Sequence, residues 1–152
     1  MLYFPHVVLW IPEGAEVELF NRDEGRETCL EELYPPVELR RFAVLEDLVH
    51  GLVFGYVNVI YMPKLWWLDL LIRLPELWPG QEFLSVIIDE MDDLTPPWPK
   101  GKMWTIIERV VQALENYRKT LINLVIIAQQ ARRLYYGIRD MMMYRIYLPG
   151  AQ

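Results

Sequence analysis

Three short apolar runs constrain this chain more than any other feature: residues 56–62 (YVNVIYM), 83–89 (FLSVIID) and 122–128 (INLVIIA). Each has the length of a strand, is rich in Val and Ile, and is apolar on both faces rather than alternating. Strands of that kind belong to parallel sheets covered by helices on both sides. Residues 6–11 (HVVLWI) and 144–148 (YRIYL) read as two further strands.

The segments between these runs supply the helices. Residues 102–119 place Met103, Ile106, Ile107, Val110, Leu114 and Tyr117 on one stripe of an amphipathic helix, entered after Pro99 and Gly101. Residues 65–74 (LWWLDLLIRL) are apolar nearly all round, with Asp69 and Arg73 one turn apart as the only charged pair. Such a helix is buried on most sides or serves a subunit contact. Residues 40–50 and 131–140 are expected to be helical too. Residues 14–36 are polar, acidic and punctuated, an excursion with one short helix at 27–34. Strand and helix in alternation imply an α/β fold, a mostly parallel sheet flanked by helices, in one domain over 1–152. In such sheets, chemistry gathers at the C-terminal ends of the strands.

Composition narrows the classes. With 152 residues and 53% hydrophobic content the chain is long enough for a real core and is not disordered. A net charge of -6 gives no general support for nucleic-acid binding, which needs Lys and Arg against phosphate. Cys29 is the only cysteine, so neither an internal disulfide nor a Cys-rich zinc site can form. No apolar run reaches the roughly 18 residues of a membrane span, and the N-terminus lacks the pattern of a secretory leader. A cytoplasmic location is expected. A single serine, few Asn and Gln, and many Pro and Trp point to a hot environment. His6 and His50 have no ligand spacing around them. Met141, Met142 and Met143 are expected to fill the core, and Trp66, Trp67 and Trp104 to pack or to line an oligomer contact.

The chemistry concentrates in Ser85-Val86-Ile87-Ile88-Asp89-Glu90, a strand that ends in two acids. A carboxylate there can hold magnesium, usually through its waters, and the next can polarise an attacking water. Acids are also common wherever a strand meets solvent, so the hexapeptide alone decides little. About one helix later, a second strand ends in Gln129, an amide that can orient water or contact a terminal phosphate. Arg118-Lys119 closes the long helix, where basic residues also complement the helix dipole.

In this order and spacing, the residues resemble the FtsK/HerA superfamily of P-loop ATPases, which includes conjugation and virus-packaging ATPases. The resemblance runs from the glycine-led Gly55-Tyr56-Val57-Asn58-Val59-Ile60 through Val86 to Glu90 and Leu94-Thr95-Pro96. It continues to Arg118-Lys119, Val125 to Gln129, and Ile138-Arg139-Asp140, covering roughly residues 51–148. It implies a RecA-like sheet with Asp89 as the Walker B partner of magnesium and Glu90 as the water-activating base. Gln129 would be the sensor, and Arg118 an arginine reaching a neighbouring subunit's nucleotide. ATP and Mg are the implied cofactors. A homo-oligomer or a partner chain, and DNA, are the implied partners.

Two departures stand out. Met91 replaces a small residue, and Asp92-Asp93 make the corner unusually acidic. Asp89, Glu90, Asp92 and Asp93 would repel one another, so the cluster is expected to hold a divalent cation or a proton. More importantly, no glycine-rich turn followed by Lys-Ser or Lys-Thr occurs; Gly101-Lys102-Met103 has the wrong position and neighbour. The P-loop strand, normally central in the sheet, is then missing or replaced. The chain would continue another piece, close the gap with residues 6–11, or receive the strand from a second chain. A non-catalytic interaction module on the same scaffold is the alternative. A metal-dependent nuclease is disfavoured, because the sequence sets no Lys or His near the acids.

Overall fold

The computed structural model describes residues 6–21, 23–29, 32, 37–78 and 82–146, the side chains of Asn21 and Arg118 excepted. The chain is α/β, with small, mostly parallel sheets flanked by helices, and it divides into two compact units, 1–63 and 64–152.

In the first unit β1 (Val7–Pro12) lies between β4 (Val37–Phe42) and β5 (Val57–Ile60), parallel to both. As the central strand it is the most deeply set, with Val8, Trp10 and Ile11 all under 5% exposed. Helix α1 (Leu45–Gly51) adds Leu45, Leu48 and Val49 to this core; Glu46 and Asp47 in its first turn and His50 in its last suit the helix dipole. The helix ends where the edge of the Trp10 ring comes up against the chain. A Cβ on Gly51 would sit 2.5 Å from the ring, so only glycine fits. Trp10 is held from two more sides. Its indole N–H donates to Asn58 Oδ1 at 3.0 Å, and the Arg40 guanidinium stands 5.6 Å from its ring centre. Asn58 also accepts from the Val53 N–H and donates to the carbonyls of Val53 and Tyr56.

Two expectations for this unit are corrected. Strand β4 (VELRRF) mixes charged and apolar residues, and residues 40–42, expected to be helical, belong to it; the helix begins at Leu45. Residues 14–36 contain a short antiparallel pair, β2 (Leu19–Asn21) with β3 (Arg26–Thr28), so Glu27 and Thr28 are strand rather than helix. Of the remainder of the short helix expected at 27–34, residues 30, 31, 33 and 34 lie outside the described residues. Both edges of β1 are taken, by β4 and β5, which leaves residues 6–11 no edge with which to replace a P-loop strand.

The second unit packs α2 (Lys64–Leu77) against α4 (Lys102–Tyr117), and α4 against α5 (Tyr136–Met141), beside the parallel pair β6 (Leu84–Ile88) and β7 (Ile122–Ile126). Its core comes from Leu68, Leu71 and Leu74 of α2 and from Ile107, Val110 and Leu114 of α4, the stripe read from the sequence. Asp69 and Arg73 pair at 3.7 Å. Helix α2 runs through Pro75, which has no N–H to offer the Leu71 carbonyl four residues earlier. Tyr117 supplies the missing donor: its hydroxyl reaches the Leu71 oxygen at 2.8 Å across the helix pair.

The strands read as buried on both faces are covered on one. Ile87 is 64% exposed and Val125 and Ile127 over 40%, while Ile88 and Ile122 point inward. Residues 131–140 form a 3-10 turn, Ala131–Arg133, and then α5. Residues 144–146 are not a strand, and Tyr147 and Leu148 lie outside the described residues. Met143 is exposed rather than core-filling, and Trp104 is partly exposed, its ring edge-on to Tyr135. No helix of the described residues is long and apolar enough to cross a membrane.

Two buried tyrosines make the second unit sensitive to alkali. Burial pushes the Tyr117 hydroxyl above the usual tyrosine range. Burial raises Tyr135 too, reinforced by its hydrogen bond to Glu108. Both ionise later in the folded than in the unfolded chain. Stability is therefore fully present below about pH 10 and falls above it, by about 1.4 kcal/mol per pH unit for Tyr117. Urea unfolding at stepped pH values checks this, and Tyr117→Phe should flatten the slope above pH 10.

Candidate functional site

Strands β6 and β7 run parallel and in register from Leu84 opposite Ile122 to Ile88 opposite Ile126, so both finish at the same level. Asp89 and Glu90 follow one strand, and Gln129 follows the other. Main-chain bonds extend the ladder past the strand ends: the Ile127 N–H donates to the Ile88 oxygen at 2.8 Å, and the Met91 N–H to the Ile127 oxygen at 3.1 Å. The corner is thus tied to β7 through Met91, which is fully buried and serves as its plug. That is a physical reason for a large apolar residue after the glutamate.

Between strand and plug, Glu90 adopts a left-handed conformation, φ 54 and ψ 40, that non-glycine residues rarely take. This turns the chain directly from β6 into the single-turn helix α3 (Met91–Leu94). The Asp89 carboxylate braces the turn by accepting the Glu90 N–H on Oδ1 at 2.9 Å. Thr95 closes α3 from below: its N–H and hydroxyl both donate to the Met91 oxygen, and its own carbonyl accepts the Tyr135 N–H at 3.0 Å. The third strand-end residue then reaches across, the Gln129 amide donating from Nε2 to Glu90 Oε1 at 3.1 Å.

Of the four residues expected at a site, Asp89, Glu90 and Gln129 therefore meet. Arg118 does not join them. Its main chain lies in the 3-10 turn Arg118–Thr120 that leads into β7, at the opposite end of that strand from Gln129. Five strand residues separate the two levels by about 16 Å. The side chain of Arg118 lies outside the described residues.

Glu90, Asp92, Asp93, Gln129 and Arg133 wall a recess of about 200 Å³ at this corner. Arg133 was not singled out from the sequence, although the pair Arg132-Arg133, three and four residues past Gln129, marks the second lip as basic. Lys64 was also not expected near the acids. It starts α2, and its ammonium donates to the Asp93 main-chain oxygen. Its contact is with the main chain and not with a carboxylate, so it gives no support to a nuclease base. Among the described residues, no three His, Cys, Asp or Glu side chains converge as a metal-holding group.

The exposed carboxylate of Asp89 suits a single-carboxylate, water-bridged contact with magnesium. The phosphate cradle that such a metal normally accompanies has no counterpart in the sequence. Searches against protein-family models, curated proteins and solved structures returned no match to this chain.

Proposed function

We propose that the chain is an ATPase-derived domain, the Walker B and sensor half of an FtsK/HerA-type DNA-translocating or packaging motor with a RecA-like core. The observation that carries this reading is the hydrogen bond from Gln129 to Glu90 across the ends of two parallel strands. It sets a sensor-type amide on the carboxylate that would act as base, and leaves the second Glu90 oxygen to take a proton from water. Asp89 would hold magnesium, which supplies charge neutralisation to nucleotide phosphates when bound. Arg118, at the far end of β7, suits action on a neighbouring subunit's nucleotide rather than on its own. The motor would be a cytoplasmic oligomer working on DNA, with the P-loop contributed by a preceding segment or a partner chain.

The alternative is a non-catalytic interaction module on the same scaffold. The exposed apolar face of Ile87, Val125 and Ile127 favours it, since ATPase sheets of this type are covered on both sides.

Calorimetry with ATP, with and without magnesium, separates the two. Weak magnesium-dependent nucleotide binding, lost in Asp89→Asn and retained in Glu90→Gln, supports the ATPase-derived reading; no binding under any condition supports the interaction module. Turnover by the chain alone is expected to be negligible. Robust hydrolysis abolished by Glu90→Gln would show that a phosphate cradle exists where the sequence has none.

A further inference from the structure

The net charge of -6 is an average over two unlike parts of the chain. Residues 1–93 carry six Lys and Arg against eighteen Asp and Glu, whereas residues 94–152 carry nine against three. Such a division favours binding of a polyanion by the basic part alone. Among the described residues, Lys100, Lys102, Arg109 and Arg133 are exposed and make no ion pair, while Arg139 and Arg145 share one acid, Asp140.

The same part of the chain exposes flat rings. Tyr135 is buried, its N–H donating to the Thr95 oxygen at 3.0 Å and its hydroxyl to Glu108. Two rings from different elements rest on it: Trp104 of α4, centred 5.8 Å away, and Tyr136 of α5, centred 4.5 Å away. Trp104 is 44% and Tyr136 49% exposed, and Trp98, in the connection from Thr95 into α4, is 83% exposed. Lys100 precedes Trp104 by about one turn, and Arg139 follows Tyr136 by about one turn of α5. Each ring thus has a cation on its own element, and Glu108 on the same stretch of α4 is engaged by the Tyr135 hydroxyl.

Single-stranded nucleic acid answers both features at once, because its bases stack on aromatic faces while its backbone carries the charge. A duplex hides its base faces, and an acidic protein surface has none to offer. A lipid surface supplies the charge but asks for side chains that enter the acyl layer, whereas Trp104 and Tyr136 are each about half covered.

We propose that this surface binds single-stranded nucleic acid, with Trp104 and Tyr136 stacking on bases and Lys100 and Arg139 holding phosphates. The binding needs neither nucleotide nor magnesium and does not depend on the ATPase reading.

The test is fluorescence anisotropy of labelled oligothymidylate and oligouridylate with the whole chain at stepped salt, without ATP or magnesium. A DNA duplex and phosphatidylserine vesicles serve as competitors. Both single strands are expected to bind, and each competitor to displace them less well than unlabelled single strand does. Trp104→Ala should weaken binding about tenfold and leave the slope of log K against log salt unchanged, because stacking releases no counterions. Lys100→Ala, on an exposed side chain where folding is not at risk, should weaken binding and lower that slope by about 0.7. Tyr136→Ala, with the same expected effect as Trp104→Ala, keeps the stacking test open if Trp104→Ala fails to fold. No binding of either single strand, equal or better displacement by duplex or vesicles, or binding unchanged in Lys100→Ala and in the folded ring variants would each overturn the proposal. None of these outcomes touches the nucleotide calorimetry, so the two readings fall separately.

Discussion

Asn58→Ala is expected to destabilise the first unit by about 2–6 kcal/mol, because four hydrogen bonds worth about 0.5–1.5 kcal/mol each are lost together. The side chain accepts from the Trp10 indole and the Val53 N–H, and donates to the carbonyls of Val53 and Tyr56. Deleting it strands the N–H of a tryptophan that is only 4% exposed and releases the turn that feeds β5. Asn58→Asp keeps the acceptor and loses the two donated bonds, so its cost should be about half as large. Urea denaturation of the three proteins measures both differences. Equal stability of Asn58→Ala and the parent would mean that the turn does not depend on this residue.

In the sequence, Asn58 reads only as an interruption in an apolar run. The same limit runs through the rest of the fold. Strands β1, β5, β6 and β7 were legible because unbroken Val and Ile runs have few other uses, and α4 because its stripe repeats for more than four turns. Strand β4 was not, since Glu38, Arg40 and Arg41 break its apolar pattern, and its partner in the middle of the sheet was needed to recruit it. One-sided exposure of β6 and β7 was not legible either. A run apolar on both faces states what the strand would tolerate, whereas coverage depends on what the rest of the chain brings to it.

The corner follows the same division. Asp89, Glu90 and Gln129 could be picked out as strand-end residues. That Asp92 is buried and Arg133 faces it across a recess depends on the left-handed turn at Glu90, which a glutamate does not advertise.

Tyr117→Phe is expected to cost about 1–3 kcal/mol, the penalty for leaving a buried carbonyl without a donor. The carbonyl is that of Leu71, deprived of its helical partner by Pro75 and served instead by the Tyr117 hydroxyl. The cause can be isolated. Pro75→Ala restores a main-chain N–H at the position that should bond to Leu71, so the hydroxyl becomes redundant. In that background the cost of Tyr117→Phe should fall below about 1 kcal/mol, which makes the double-mutant cycle strongly coupled. Additive losses would instead assign the effect of Tyr117 to packing of its ring, which is 3% exposed.

The parallel pairing of β6 with β7 also governs when the acidic corner comes into being. Parallel neighbours cannot be joined by a hairpin; after Ile88 the chain must lay down α3 and α4 before Ile122 can return beside Leu84. Closing that loop costs entropy before any ladder bond repays it, and α4 docked on α2 lowers the cost by shortening the search. Glu90 and Gln129 are therefore expected to meet late on the folding route, after the helices are in place. Transient opening of the native protein should expose them first, so amide hydrogens at Met91 and Ile127 would exchange with solvent sooner than those buried between α2 and α4.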